Sequence, residues 1–152
     1  MATQTLQATD LAFGRAVLLV TDSLGMSAEG AFWLYDGRDK EWRYFLITSL
    51  FGQVETSEIY LRLNEAMNKK LSERESEDFM IYITSPKEHM AKVIRSQVST
   101  TRYASEPISK SIKIGGRSEK AWIYRMAPVL RQKETKLARH RFSRLSRELI
   151  AA

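Results

Sequence analysis

Glu41-Trp42-Arg43-Tyr44-Phe45-Leu46-Ile47-Thr48-Ser49-Leu50 is the stretch from which the fold is read. Aromatic and β-branched side chains dominate it, and neither Gly nor Pro interrupts it, as in a strand. Side chains alternate across a strand, so one face carries Trp42, Tyr44 and Leu46 and the other Arg43, Phe45 and Ile47. Both faces are largely apolar, which predicts a central strand covered on both sides. Asp36-Gly37-Arg38-Asp39-Lys40 forms a turn before it, and Ala31 to Tyr35 reads as a strand before that turn. Residues 31–35 and 41–49 are therefore expected to pair as an antiparallel hairpin.

Downstream, Gly52 breaks the pattern. Thr56 or Ser57 opens a helix with Glu58 in its first turn, where the helix dipole favours negative charge. Ile59, Leu63, Ala66 and Met67 give this helix one buried stripe. Lys69, Lys70 and the charged run Ser72 to Asp78 form its solvated end and a loop. Phe79 to Thr84 is the next strand. Ser85-Pro86-Lys87-Glu88 carries a helix-start signature: Ser85 as N-cap, Pro86 at the first helical position and Glu88 closing a capping box. Met90, Val93, Ile94 and Val98 mark the buried face of that helix, which ends near Ser99. A loop over 99–107 leads to a strand at Ile108 to Ile114. Gly115 to Glu119 turns the chain into the last strand, Lys120 to Met126, and Pro128 ends the body.

Upstream, residues 1–8 form a lead. Thr9 or Asp10 caps a helix that runs to about Leu24 and stops at Gly25. Phe13, Ala16, Val17, Val20 and Leu24 share one side of it, with Leu11 and Leu18 on the other. A helix apolar on two sides packs between sheet and tail helix, or pairs with a second copy of the chain. The expected class is thus α+β: a five-stranded mixed sheet in the order αββαβαββα, with helices on both faces. Strands 41–49, 79–84 and 108–114 are expected to be parallel through right-handed crossovers. Both crossover helices would then share one face, leaving the first and last helices to cover the other. Antiparallel strands would form the edges.

The 152 residues are 43% hydrophobic and 28% charged, an ordinary balance for a globular chain. They include no cysteine, which excludes disulfides and thiolate chemistry and fits a reducing compartment. Met1 to Thr9 has no positive charge, and Asp10 and Arg15 break up the apolar residues after it, so no signal peptide is read there. No apolar run approaches the ~20 residues that span a bilayer. The expectation is a cytoplasmic protein. Residues 1–128 hold 17 basic and 16 acidic side chains, whereas 129–152 hold 7 and 2. The chain divides into a nearly neutral α/β domain over 1–128 and a basic helical tail over 129–152.

Catalytic patterns are sparse. His89 and His140 lie far apart with no acidic cluster at ligand spacing, so no metal site is expected. No phosphate-binding glycine loop and no Gly-x-Ser-x-Gly elbow occurs, and no cofactor is implied. Asp36 with Glu41-Trp42-Arg43 resembles the Asp and Glu-x-Lys arrangement of metal-dependent nucleases of the restriction-enzyme type. In that arrangement the carboxylates hold Mg²⁺ and the Lys supports the attacking water. Arg43 departs from the pattern, since a guanidinium does not act as a base. Asp36 also stands too near Glu41 and already serves the turn. Trp33, Tyr35, Trp42, Tyr44, Tyr82, Trp122 and Tyr124 fall on strands. They form either core or an exposed face for bases or a small molecule, and core is the favoured reading.

The tail carries the strongest functional pattern. Ala138, Phe142, Leu145 and Leu149 make a narrow apolar stripe suited to docking. Lys133, Lys136, His140, Arg144 and Arg147 fall opposite, flanked by Arg139 and Arg141. The expectation is a non-catalytic accessory protein whose basic helix contacts nucleic acid or an acidic protein partner. A protein partner or further subunit is favoured and a homo-oligomer is one form of it. The alternative is a divergent or inactive metal-dependent nuclease-like domain, so the enzyme question stays open at this point.

Overall fold

The computed structural model describes residues 5–71 and 80–151. Of the lead read at 1–8, residues 1–4 lie outside those residues, as do the charged run at 72–78 and the strand start at Phe79. The elements are α1 (Ala8–Ser23), β1 (Gly30–Asp36), β2 (Glu41–Ile47), α2 (Thr56–Lys70), β3 (Ile81–Thr84), α3 (His89–Gln97), β4 (Ile108–Ile114), β5 (Arg117–Met126) and α4 (Gln132–Ala151). The class is α+β, with the element order expected.

The hairpin forms as read, in register from Gly30 opposite Ile47 to Asp36 opposite Glu41. The sheet runs β3-β2-β1-β5-β4, so β1 is the central strand and β2 flanks it. β2 and β3 are parallel, joined through α2. The expectation of three parallel strands fails at β4: β5 pairs antiparallel with β1 and so runs with β2, and β4, folded back on β5 at the far edge, runs against β2 and β3. The chain leaving β3 does not step to a neighbouring position. It crosses the whole sheet, and α3 lies along that crossing. One edge strand is therefore parallel to its neighbour and the other antiparallel.

This topology also redistributes the helices. One face buries Val17 and Leu18 of α1, Ile59 and Leu63 of α2 and Phe142 of α4, together with Trp33, Tyr44 and Ile83. On the other face, among the described residues, only α3 supplies buried helical residues, Ala91 and Ile94, against Phe32, Ile47, Ile112 and Ile123. Helices do cover both faces, but α2 joins α1 and α4 and leaves α3 alone. A single nine-residue helix covers less area, and Phe45 and Val93 are accordingly only half-buried rather than fully buried.

Several local starts differ from expectation. α1 begins at Ala8, with Gln7 as N-cap and Asp10 three residues in, where its carboxylate accepts from the Gln7 N–H at 2.8 Å. The Ser85 capping box does not form. Ser85 Oγ accepts from Lys87 N, and the Glu88 N–H closes a turn on the Ser85 carbonyl. Glu88 is then extended, so α3 starts only at His89. α2, by contrast, starts at Thr56 as read, with Glu58 in its first turn, although its N-cap Glu55 makes no side-chain cap. The Gly115–Gly116 turn has positive φ at both residues, as a type I′ hairpin turn requires. β5 therefore starts at Arg117, earlier than expected.

Aromatic side chains bind α1 to the sheet. The Trp33 indole donates to the Tyr124 hydroxyl at 3.2 Å, which donates to the Leu11 carbonyl at 2.6 Å. The Tyr44 hydroxyl donates to the Gly14 carbonyl at 2.7 Å. Gly14 permits this approach, because a Cβ there would lie 2.4 Å from the Tyr124 hydroxyl. The three rings are fully buried, and burial pushes both phenols above their ordinary value.

Gly14→Ala sets two effects against each other. Helix propensity favours Ala by about 1 kcal/mol, while overpacking a filled contact costs roughly 1–3 kcal/mol. Packing is expected to win, giving a net loss in a denaturant titration. A gain in stability would show that the Trp33–Tyr124 contact yields freely.

Candidate binding surface around the C-terminal helix

The position of α4 is set where the body hands the chain over to it. Glu29, just before β1, is 2% exposed. Its backbone N–H donates to the Ile47 carbonyl and its own carbonyl accepts from Ala127 N. Its carboxylate accepts from Ser49 N at 2.8 Å, from Ser49 Oγ, and from Leu130 N at 3.2 Å. One residue thus joins the ends of β2 and β5 to the lead-in of α4. Burial raises the Glu29 carboxyl above its ordinary value, and the donated hydrogen bonds offset part of that rise.

Arg125 is the second buried polar centre, 3% exposed. The β1–β5 register shifts between Ala31, opposite Arg125, and Phe32, opposite Ile123. This bulge directs two consecutive residues, Tyr124 and Arg125, toward α1. Arg125 makes a bidentate pair with Asp22, both distances 2.9 Å, and donates to the carbonyls of Ala104 and Ala28. It thereby fixes the segment between α3 and β4 against the C-terminal end of α1.

The apolar stripe of α4 is spent on the protein's own body. Ala138 and Phe142 are buried, and Leu145 and Leu149 half-buried. The Arg62 guanidinium of α2 lies 5.8 Å from the Phe142 ring centre and also donates to Ser146 Oγ. Lys69 Nζ donates to the Leu149 carbonyl at 3.1 Å. Gly25, at φ 70°, passes close beneath: a Cβ there would stand 2.7 Å from Arg141 Cβ. The four docking candidates therefore attach the helix to its own sheet-and-helix body.

The basic row is left facing outward. Lys133, Lys136, Arg139, His140, Arg141, Arg144 and Arg147 are all exposed. Among the described residues none of them enters an ion pair; Arg147 Nε donates to the Ser143 carbonyl. Arg141 differs in aspect. With Glu134 and Leu137 it lines a cleft of about 400 Å³ between α4 and the segment that follows α3. Tyr103 on that segment is 83% exposed and Leu137 54%. Arg102, beside Tyr103, pairs with Glu134 at 3.1 Å.

The nuclease-like residues arrange differently from a metal site. Arg43 Nη1 holds Asp36 at 2.7 Å, and Nη2 holds Glu41 at 2.8 Å and also Asp39. The carboxylates converge on a guanidinium beside the turn, and the Arg38 N–H, chief among several contacts, holds the Asp36 carboxyl below its ordinary value. Among the described residues no group of three or more His, Cys, Asp or Glu side chains could hold a metal ion. His89 is exposed on the face of the sheet away from α4. Of the strand aromatics, Trp33, Tyr44 and Tyr124 are core, while Trp42 and Trp122 pack half-buried against it. No helix among the described residues is long and apolar enough to cross a membrane.

No protein-family model matches the chain, and neither a curated protein nor a solved structure shows significant similarity to it. The assignment of function rests on the surface itself. Sequence reasoning passed over Glu29, Asp22, Arg125, Tyr103 and Leu137. A charge inside the apolar strand Ala121 to Met126 was the one signal for Arg125; Tyr103 and Leu137 gave none.

Glu29→Ala would strand the Ser49 and Leu130 N–H groups and open a void, a loss on the order of 2–5 kcal/mol. The pH dependence is read from Glu29→Gln. With its folded value raised above 4.5, the native state holds the extra proton between those two values. Wild-type stability from this group therefore increases as pH falls through that window. The wild-type advantage over Glu29→Gln, measured by denaturant titration from about pH 8 to about pH 5, is expected to widen on acidification. A narrowing gap would mean that the site prefers the ionised carboxylate.

Proposed function

We propose that this chain is a non-catalytic interaction module that engages an acidic partner protein through the basic row of α4. The observation that carries this reading is that α4 is fixed to the body by its apolar stripe while its row of cations faces outward without ion pairs among the described residues. Exposed cations cost little on a solvated helix, so the row alone does not name a ligand. The neighbouring surface favours protein over nucleic acid. Tyr103 and Leu137 add exposed apolar area beside arginines, and Tyr and Arg are the pair enriched in protein interfaces. The backbone of a duplex offers such apolar groups nothing to pack on, and the bases of a single strand would engage Tyr103 but not Leu137.

The test places a benzophenone photo-crosslinker at Lys136 or Arg144 in the full chain, with Lys92 on α3 as control, in the cells from which it comes. The expected result is a protease-sensitive, nuclease-resistant adduct at the two α4 positions and none at Lys92. The crosslinked partner peptide should be rich in Asp and Glu. Replacing Arg139, Arg144 and Arg147 together with Ala should reduce the Lys136 adduct several-fold, while stability changes by under about 0.5 kcal/mol. In parallel, single- and double-stranded oligonucleotides are titrated at low and physiological salt. Sequence-independent affinity that falls steeply with salt, together with nuclease-sensitive adducts, would overturn the protein reading in favour of phosphates.

A further inference from the structure

Resting on the reading above, we infer that the cleft between α4 and the segment after α3 receives an apolar side chain of the acidic partner, with the partner's flanking carboxylate on Arg141. The walls and floor of the cleft differ in what they ask of a ligand. Its buried polar groups, Arg125 and Glu29, are already satisfied: Arg125 is held by the Asp22 carboxylate and by two carbonyls, and Glu29 accepts three hydrogen bonds. An entering group therefore meets no open charge at the bottom. The walls are apolar, from Tyr103, Leu130, Leu137 and Pro128. Two of them, Tyr103 and Leu137, stand largely in water, and covering them is the favourable part of filling the cleft.

The rim supplies the charge selection. Arg102 is engaged by Glu134, whereas Arg141 has no ion pair among the described residues. Glu134, Leu137 and Arg141 follow helical spacing along one side of α4, so the apolar wall and the unpaired cation sit one turn apart. Arg144 continues the positive surface from Arg141. The complementary occupant is an apolar residue with Asp or Glu within a few positions of it. A second copy of the chain is disfavoured by the same charge, since its own α4 would bring a basic helix toward a basic helix.

The test pans a random twelve-residue peptide library against the full chain. Enriched peptides are expected to carry one Phe, Leu, Ile, Met or Trp with at least two acidic residues within four positions. For the synthesised consensus peptide, Leu137→Asp and Tyr103→Ala are each expected to raise Kd about tenfold, with melting temperature unchanged because both sites are exposed. Arg141→Glu should lose the peptide and regain affinity for one in which the nearest acidic residue is replaced by Lys. If the triple arginine variant weakens binding but Leu137→Asp and Tyr103→Ala do not, the cleft assignment is overturned while the acidic-partner reading stands. Peptides without acidic residues, or no enrichment, would overturn both. Concentration-dependent dimerisation abolished by Leu137→Asp would replace the partner with a second copy.

Discussion

The buried carboxylate of Glu29 is the constraint on which the arrangement of the C-terminal half depends. A lone carboxylate in an apolar interior is costly, and it is tolerated only where donors converge on it. Here the donors come from the loop after β2 and from the chain entering α4. Satisfying the charge and aligning α4 are the same event. Were the lead-in to α4 to swing away, Glu29 would lose the Leu130 N–H and gain water, so the helix position and the protonation of one side chain are coupled.

Arg125 plays the corresponding role on the other side of the cleft. A bulge in β5 is what allows it, because regular alternation would have sent Arg125 to the α3 face after Tyr124 took the α1 face. The displaced strand register gives Asp22 a partner and gives the segment holding Tyr103 an anchor through the Ala104 carbonyl. The walls of the cleft are therefore built on two saturated polar centres. This explains how a surface with exposed Tyr103 and Leu137 holds its shape: the fixed groups lie beneath the exposed ones.

What could be read from the sequence was what local periodicity controls. The 31–35 and 41–49 hairpin, the stripe Ile59, Leu63, Ala66 and Met67, and the stripe Ala138, Phe142, Leu145 and Leu149 all depend on spacing within one element or between two adjacent ones. The first stripe is buried as spaced, the second is buried at Ala138 and Phe142 and half-buried at Leu145 and Leu149, and the hairpin pairs as read. The errors lie where distant pieces compete. A preceding helix suggests a β4 parallel to β3, yet β5 pairs antiparallel with the distant β1, and β4, folded back on β5 through the two-glycine turn, therefore runs against β2 and β3. Ser85 has the residues of a capping box, but the turn it closes spends Glu88 in an extended conformation. Glu29 and Arg125 could not be assigned partners at all, since Ser49, Leu130 and Asp22 reach them only after the sheet has formed. For the surface, the basic row followed from the helical wheel, while the cleft beside it needed the fold.

The division between row and cleft has a physical consequence for selectivity. Exposed charges are screened over a Debye length of about 8 Å at physiological ionic strength, and each contributes little once water competes. A row of cations on α4 accordingly speeds encounter with any anionic surface without choosing among them. Choice requires a contact that is lost entirely when the wrong group arrives. On the proposed reading, the cleft is the part of this surface able to supply one, because its polar floor is already satisfied and its apolar walls are not. A ligand bringing only charge leaves Tyr103 and Leu137 wet, and one bringing only an apolar group leaves Arg141 without a counter-ion. Discrimination then arises from joining two weak demands on one surface, with α4 positioned through Glu29 and the segment of Tyr103 through Arg125.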